Sequence, residues 1–245
     1  MIIGFIGSGS MAAAMARGWA GQFEGMLFSD SGSGRAQALA EELRGEAVSN
    51  EEIASRADLV LLAVKPNKLE EVAPQLDGAD AVVSVLAATS LERLRLALPG
   101  TRVLRVMPNV GVEVGEGVLC VAGEADEATR GKLSLLGQVV EIAEEDFDAA
   151  TAVMGCSPAY FAVAAEAIAE AGAADGLDPE LSRRLVVETA AGTAALLRRY
   201  DPAAVRSAVA SSGGSTERGL EALEREGARR AFAAAVEASL ERMRE

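Results

Sequence analysis

The hydrophobic pattern of the chain changes near residue 146. Before it, short apolar runs recur at 2–6, 26–28, 59–64, 81–85, 102–106, 118–121 and 139–142. They show little polar alternation, which is the pattern of parallel strands covered on both faces by helices. Between them, 33–43, 90–98 and 126–136 carry apolar residues at helical spacing behind polar starts. The prediction for 1–146 is an α/β domain built on a doubly wound, Rossmann-type parallel sheet. Beyond Asp146 the strand signal stops and alanine-rich stretches with helical spacing follow at 159–174, 179–200, 202–209, 216–226 and 229–244. Pro179 and Pro202, each after an aspartate, mark helix starts, and Gly172, Gly176, Gly213 and Gly214 mark breaks. Residues 147–245 are therefore predicted to be all-helical. Such a small, alanine-rich domain buries little alone, which points to association through it. Packing on its own sheet domain is the plainer alternative.

The first strand runs directly into Gly7-Ser8-Gly9-Ser10-Met11-Ala12 and then a helix. Gly7 permits a tight turn, Gly9 leaves room for a pyrophosphate against the backbone, and Ala12 stands where a third glycine would let helix and strand pack closely. The N–H groups of Ser8, Ser10 and Met11 open that helix toward an anion. Asp30 follows the second strand, where an acidic residue can accept from a ribose 2′-hydroxyl, favouring NAD(H). Immediately after it, Ser31-Gly32-Ser33-Gly34-Arg35 has the hydroxyls and guanidinium to wrap a phosphate instead.

Composition narrows the chemistry. The chain has 245 residues, half of them hydrophobic, which is enough for a substantial core. No membrane span is expected, and the opening strand lacks the basic flank and cleavage site of a signal peptide, so the expected location is the cytoplasm. The formal net charge of −14 disfavours nucleic acid and anionic lipid as partners. Cys120 and Cys156 are too few for a zinc framework, and no metal is expected. There is no histidine, so the commonest general base is missing. Chemistry must use hydroxyls, lysine, carboxylates or a cofactor.

Three strand-end loops lie where open α/β sheets place their ligands: Ala63-Val64-Lys65-Pro66-Asn67, Ser84 to Ala88, and Arg105-Val106-Met107-Pro108-Asn109. A fourth segment, Ser211-Ser212-Gly213-Gly214-Ser215-Thr216 followed by Gly219-Leu220, separates two helices of the second half. Together with the opening glycine turn and Pro158-Ala159-Tyr160, these motifs resemble the pyrroline-5-carboxylate reductase family in order and across essentially the whole chain. The resemblance implies a nucleotide-binding sheet domain, a helical domain forming an intertwined homodimer, often ringed into decamers, and hydride transfer from NAD(P)H to a small imino-acid substrate. Departures are visible. Ser212 replaces a proline, Leu86-Ala87-Ala88 replaces alanine-alanine-glycine, Met154-Gly155-Cys156-Ser157 replaces serine-glycine-serine-glycine, and Val110-Gly111 replaces threonine-proline.

What the resemblance implies for the site is specific. Thr216 hydrogen-bonds the imine nitrogen and relays a proton, while Ser211, Gly213, Gly214 and Ser215 hold the substrate carboxylate and ring. The competing reading is that Ser215 or Thr216 merely caps its helix. Val64, Lys65 and Pro66 offer backbone contacts to the nicotinamide and ribose. Arg105 either holds a carboxylate or is a paired structural arginine. The family tips the cofactor toward NADP(H), with Ser31 and Arg35 at the phosphate and Asn50 as a further ribose or phosphate contact; NAD(H) stays open. Two other functions remain: reduction of another acceptor, and a nucleotide-binding homologue without catalysis. A β-hydroxy-acid dehydrogenase is disfavoured, because that chemistry uses a lysine on the helical domain and none follows Lys132.

Overall fold

Phe5 on the first strand stacks on Phe28 of the second, with ring centroids 4.9 Å apart, and also meets Trp19, whose indole N–H donates to the Lys132 carbonyl at 2.9 Å. This cluster forms one face of the sheet in a computed structural model that describes residues 1–244. Its elements run β1 Ile2–Ile6, α1 Ser10–Gly18, β2 Gly25–Ser29, α2 Arg35–Leu43, β3 Glu46–Ala47, α3 Asn50–Arg56, β4 Leu59–Leu62, α4 Leu69–Val72, β5 Ala81–Ser84, α5 Leu91–Ala97, β6 Arg102–Pro108, β7 Gly117–Ala122, α6 Glu127–Ser134, β8 Gly137–Glu141 and α7 Phe147–Ala150. The strand order β3-β2-β1-β4-β5-β6-β7-β8 reverses direction at β1, the topology of a doubly wound sheet. Ile3, Phe5, Leu59 and Leu61 belong to the core on one face, and Val60, Leu62 and Val82 to that on the other. Burial on both faces explains why these strands read as unbroken apolar runs.

The sheet departs from the all-parallel expectation at one place. β7 runs antiparallel to β6, because the link between Pro108 and Gly117 is one short turn, too short for a parallel crossover. By packing, the chain divides into a sheet unit built on Met1–Cys156 and a helical unit, Ser157–Arg242. The segment after β8 is counted with the sheet because Phe147 is buried against Leu91 and Ala122.

The helical unit comprises α8 Ser157–Ala174, α9 Pro179–Leu197, α10 Pro202–Val209, α11 Ser215–Arg225 and α12 Ala228–Arg244. Asp178 and Asp201 cap α9 and α10 ahead of their prolines. The Ser182 hydroxyl ties α9 to the Ala169 carbonyl of α8 at 2.8 Å, and the Tyr160 hydroxyl meets Ala235 and Ser239 of α12. Yet Ser182 is the one residue of this unit, among those described, that is buried, while Phe161, Val163, Ile168, Leu185 and Phe232 are exposed. The stretch Glu144–Ala174 is long and apolar enough, by length and composition, to cross a membrane: an 18-residue window within it has a mean hydropathy of 1.4 and is only 6% buried. The expectation that no such run exists is thereby corrected. Its many alanines raise the hydropathy of the stretch without making it look like a continuous apolar span.

Candidate active site

The turn after β1 is shaped for something the chain itself does not provide. Gly7 sits at φ +94°, and a Cβ there would lie 2.6 Å from the Ala63 carbonyl oxygen, so the fold requires glycine. Gly9 is different: it is extended, at φ −78° and ψ −177°, and a Cβ there would meet nothing within 4 Å. α1 then opens on Gly9 with no side-chain cap and no acidic residue in its first turn. The N–H groups of Ser10 and Met11 and the positive end of the helix dipole are left to an anion. The residues present therefore fit a dinucleotide pyrophosphate. Gly9→Ala is expected to change stability by less than about 0.5 kcal/mol while weakening dinucleotide binding about tenfold or more. Gly7→Ala should destabilise the apo protein by roughly 1–3 kcal/mol. Thermal melts without cofactor and a dinucleotide titration check both.

Around this turn the structure gathers several of the candidate residues and shows how each is engaged. The Ser8 hydroxyl is buried and donates to the Ser29 carbonyl at 2.9 Å, so it points into the fold. Met11 packs half-buried on the core, and Ser10 is exposed. The Asn50 side chain is held on both sides: its oxygen accepts from the Ser29 hydroxyl at 2.5 Å and its amide donates to Gln75 at 2.7 Å. Asp30 receives Gly32 N–H at 2.7 Å and Ser33 N–H at 3.1 Å on one oxygen, and the Ser33 hydroxyl at 2.8 Å and Ala36 N–H at 2.9 Å on the other. Burial pulls its pKa upward, but the donors outweigh it, the Ala36 N–H foremost, and hold the carboxyl at about 2. Ser31 and Arg35 stand exposed on the same loop.

The next strand ends complete the crevice of the sheet unit. Val64 is half-buried, Pro66 starts a turn of 3₁₀-helix, and Lys65 is exposed with no ion pair among the described residues. This loop is steadied by Arg93, which sequence reading overlooked: its guanidinium donates to the Pro66 carbonyl at 3.3 Å and to Glu70 at 2.7 Å. Ala88, where the family pattern has glycine, adopts a left-handed φ of +49°, at a cost of about 1 kcal/mol. Asn109 accepts from Gly111 and Val118 N–H groups and donates to the Met154 carbonyl, within a π-helical turn, Thr151–Gly155.

Arg105 proves to be paired. It is buried, donates to Glu144 at 3.1 Å and lies 4.0 Å above the Phe147 ring, while Glu144 also accepts the Leu91 N–H at 2.6 Å. The three contacts clasp β6, the start of α5 and the segment after β8. Glu144→Ala strands the buried guanidinium and is expected to cost about 3 kcal/mol. Arg105→Met removes the charge along with the pairing and should cost less. Urea unfolding of the two variants ranks them.

In the helical unit, Gly213 at φ +73° and Gly214 form the bend before α11. The bend favours glycine at 214, since a Cβ would fall 2.9 Å from the Ser211 carbonyl oxygen. Both glycine N–H groups are engaged internally: Gly213 donates to the Glu217 carboxylate at 2.6 Å and Gly214 to the Ser211 carbonyl at 2.9 Å. The Glu217 carboxylate thus fixes the loop. The N-cap of α11 is Gly214, with no side-chain cap. The Ser215 and Thr216 hydroxyls are exposed and hydrogen-bond to nothing among the described residues, so neither is a helix cap. They and the first N–H groups of α11 remain available to a carboxylate-bearing ligand.

A Rossmann-type unit with an uncapped glycine turn, joined in one chain to a helical unit bearing a hydroxyl loop, defines a two-unit, dinucleotide-dependent oxidoreductase. The helical end, residues 144–245, matches the family model described as pyrroline-5-carboxylate reductase dimerisation, and residues 2–88 match the one described as NADP oxidoreductase, coenzyme F420-dependent. The pyrroline-5-carboxylate reductase of Thermus thermophilus is 40% identical over 201 residues, 77% of each chain. Among solved structures, the 1-pyrroline-5-carboxylate reductase of Streptococcus pyogenes superposes with a TM-score of 0.87 at 30% identity, covering 99% of this chain and 98% of that one. The Plasmodium falciparum pyrroline carboxylate reductase, solved with NADP bound, gives 0.84 at 28%, covering 99% and 97%. The chain belongs to the pyrroline-5-carboxylate reductase family.

Proposed function

We propose that the protein is a cytoplasmic reductase that converts the cyclic imine 1-pyrroline-5-carboxylate to L-proline with NADPH as its preferred reductant. When bound, the reduced nicotinamide supplies the hydride to the imine carbon. The chain's residues do the rest. Gly7, Gly9 and the N–H groups of Ser8, Ser10 and Met11 hold the pyrophosphate, Ser31 and Arg35 take the 2′-phosphate, and Asn50 keeps Ser29 in place beneath the ribose. Val64, Lys65 and Pro66 contact the nicotinamide and its ribose with their backbone. Ser211, Ser215 and the N–H groups opening α11 orient the substrate carboxylate, on a bend made by Gly213 and Gly214. Thr216 relays a proton to the ring nitrogen as the C=N electron pair moves onto it, passing on its hydroxyl proton and regaining one from water at its exposed position.

The observation that carries this reading is the Thr216 hydroxyl, left uncommitted at the opening of α11 in a chain that has no histidine. Two copies associate through the helical unit: the family's dimerisation match covers the apolar stretch that would otherwise suit a membrane. The test is oxidation of NADPH on adding 1-pyrroline-5-carboxylate, with proline as product. Turnover only with a different cyclic imine would reassign the substrate, and cofactor binding without any turnover would leave a silent homologue.

A further inference from the structure

The loop after β2 carries a relay that assigns Asp30 a role opposite in sign to the one its position suggests. A carboxylate offers about four acceptor sites, and all four are filled from within the loop: two N–H groups on one oxygen, a hydroxyl and an N–H on the other. A ribose diol would have to displace one of these donors and strand it. The Ser33 hydroxyl, donating to Asp30 at 2.8 Å, in turn accepts Arg35 Nε at 3.0 Å. Arg35 is thereby held by its inner nitrogen, while its two terminal nitrogens are exposed and have no partner among the described residues. Those two nitrogens form the fork that binds a phosphate bidentately.

We propose that Asp30 is a positioning residue for the 2′-phosphate of NADPH, acting through Ser33 on the Arg35 guanidinium, and that it does not read the ribose hydroxyl. This rests on the reading above that Arg35 meets that phosphate. The negative charge of Asp30 is turned inward against four donors, and what the loop presents outward is the cation. Ser33 is then a specificity-determining residue through its bonds to Asp30 and Arg35.

The test is a set of dissociation constants for NADPH and NADH, measured by calorimetry on the full-length protein and its Asp30→Ala, Ser33→Ala, Ser33→Thr and Arg35→Ala variants. The expected result is that Asp30→Ala and Ser33→Ala each weaken NADPH about tenfold and leave NADH within about twofold. Ser33→Thr keeps the hydroxyl and should restore wild-type affinity. In the Arg35→Ala background, Ser33→Ala should have no further effect, because the relay then ends on nothing. A purely structural role for the loop would weaken both cofactors alike, and that result overturns the proposal. So does the opposite selectivity, in which Asp30→Ala tightens NADPH and loosens NADH. Should Asp30→Ala fail to fold, the exposed Ser33 position decides alone, and an unchanged NADPH affinity there refutes the relay. If Arg35→Ala binds NADPH as well as the wild type, the phosphate placement itself is wrong.

Discussion

Thr216→Val is expected to lower turnover about a hundredfold or more with α11, in whose first turn it lies, intact. Hydride addition to a cyclic imine leaves an electron pair on nitrogen, and the reaction is easy only if a proton arrives there. The helical unit contains no histidine and no lysine to deliver it. Its Tyr160 hydroxyl is tied to Ala235 and Ser239. Thr216 is free of such ties, and since Gly214 is the cap of α11, removing its hydroxyl takes nothing from the helix. Valine preserves the β-branched shape at an exposed position, so stability should change by less than about 0.5 kcal/mol. Steady-state turnover at saturating NADPH, set beside a thermal melt, separates the two effects. Thr216→Ser, which keeps the hydroxyl, should recover most of the rate. A valine variant turning over like the wild type would remove Thr216 from the chemistry.

Much of the sheet unit was legible because both faces of its strands are buried, so β1, β4 and β5 announce themselves as apolar runs. Direction was not: β7 differs from its neighbours only in the length of the turn before it. β3 escaped because it is two exposed residues on an edge. α3 escaped although its signal was present, a capping box between Ser49 and Glu52. At the site, residue type located Asp30 and Thr216, but the donors around them decide what each can do, and those are set by the path of the backbone. Arg93 acts on Pro66 and Glu70 from 27 and 23 residues away in the sequence, which no local motif records. In the helical half the spacing predicts the helices and the alanine content points to association, but neither tells which apolar residues stay uncovered within one chain.

That uncovered surface yields the other large expected effect. Phe161 and Ile168 lie seven residues apart on one face of α8, 72% and 61% exposed. A helical unit with no apolar core of its own cannot offset the conformational entropy of ordering five helices. A second copy packed on this face by two-fold symmetry would bury these side chains on both protomers. At roughly 1.5–3 kcal/mol per large apolar side chain, the two symmetric copies of Ile168 would alone contribute several kcal/mol to assembly through this face. Ile168→Glu removes that and forces two carboxylates into the interface, so the dissociation constant should rise by about a thousandfold or more. Light scattering coupled to size exclusion at micromolar concentration should then find the 25.2 kDa chain where the wild type runs as an oligomer. Circular dichroism should register a lower melting temperature, because the folded helices lose the partner that stabilises them by mass action. Ile168→Val keeps the apolar contact and should stay associated. A glutamate variant that remains oligomeric would mean that the assembly uses another face.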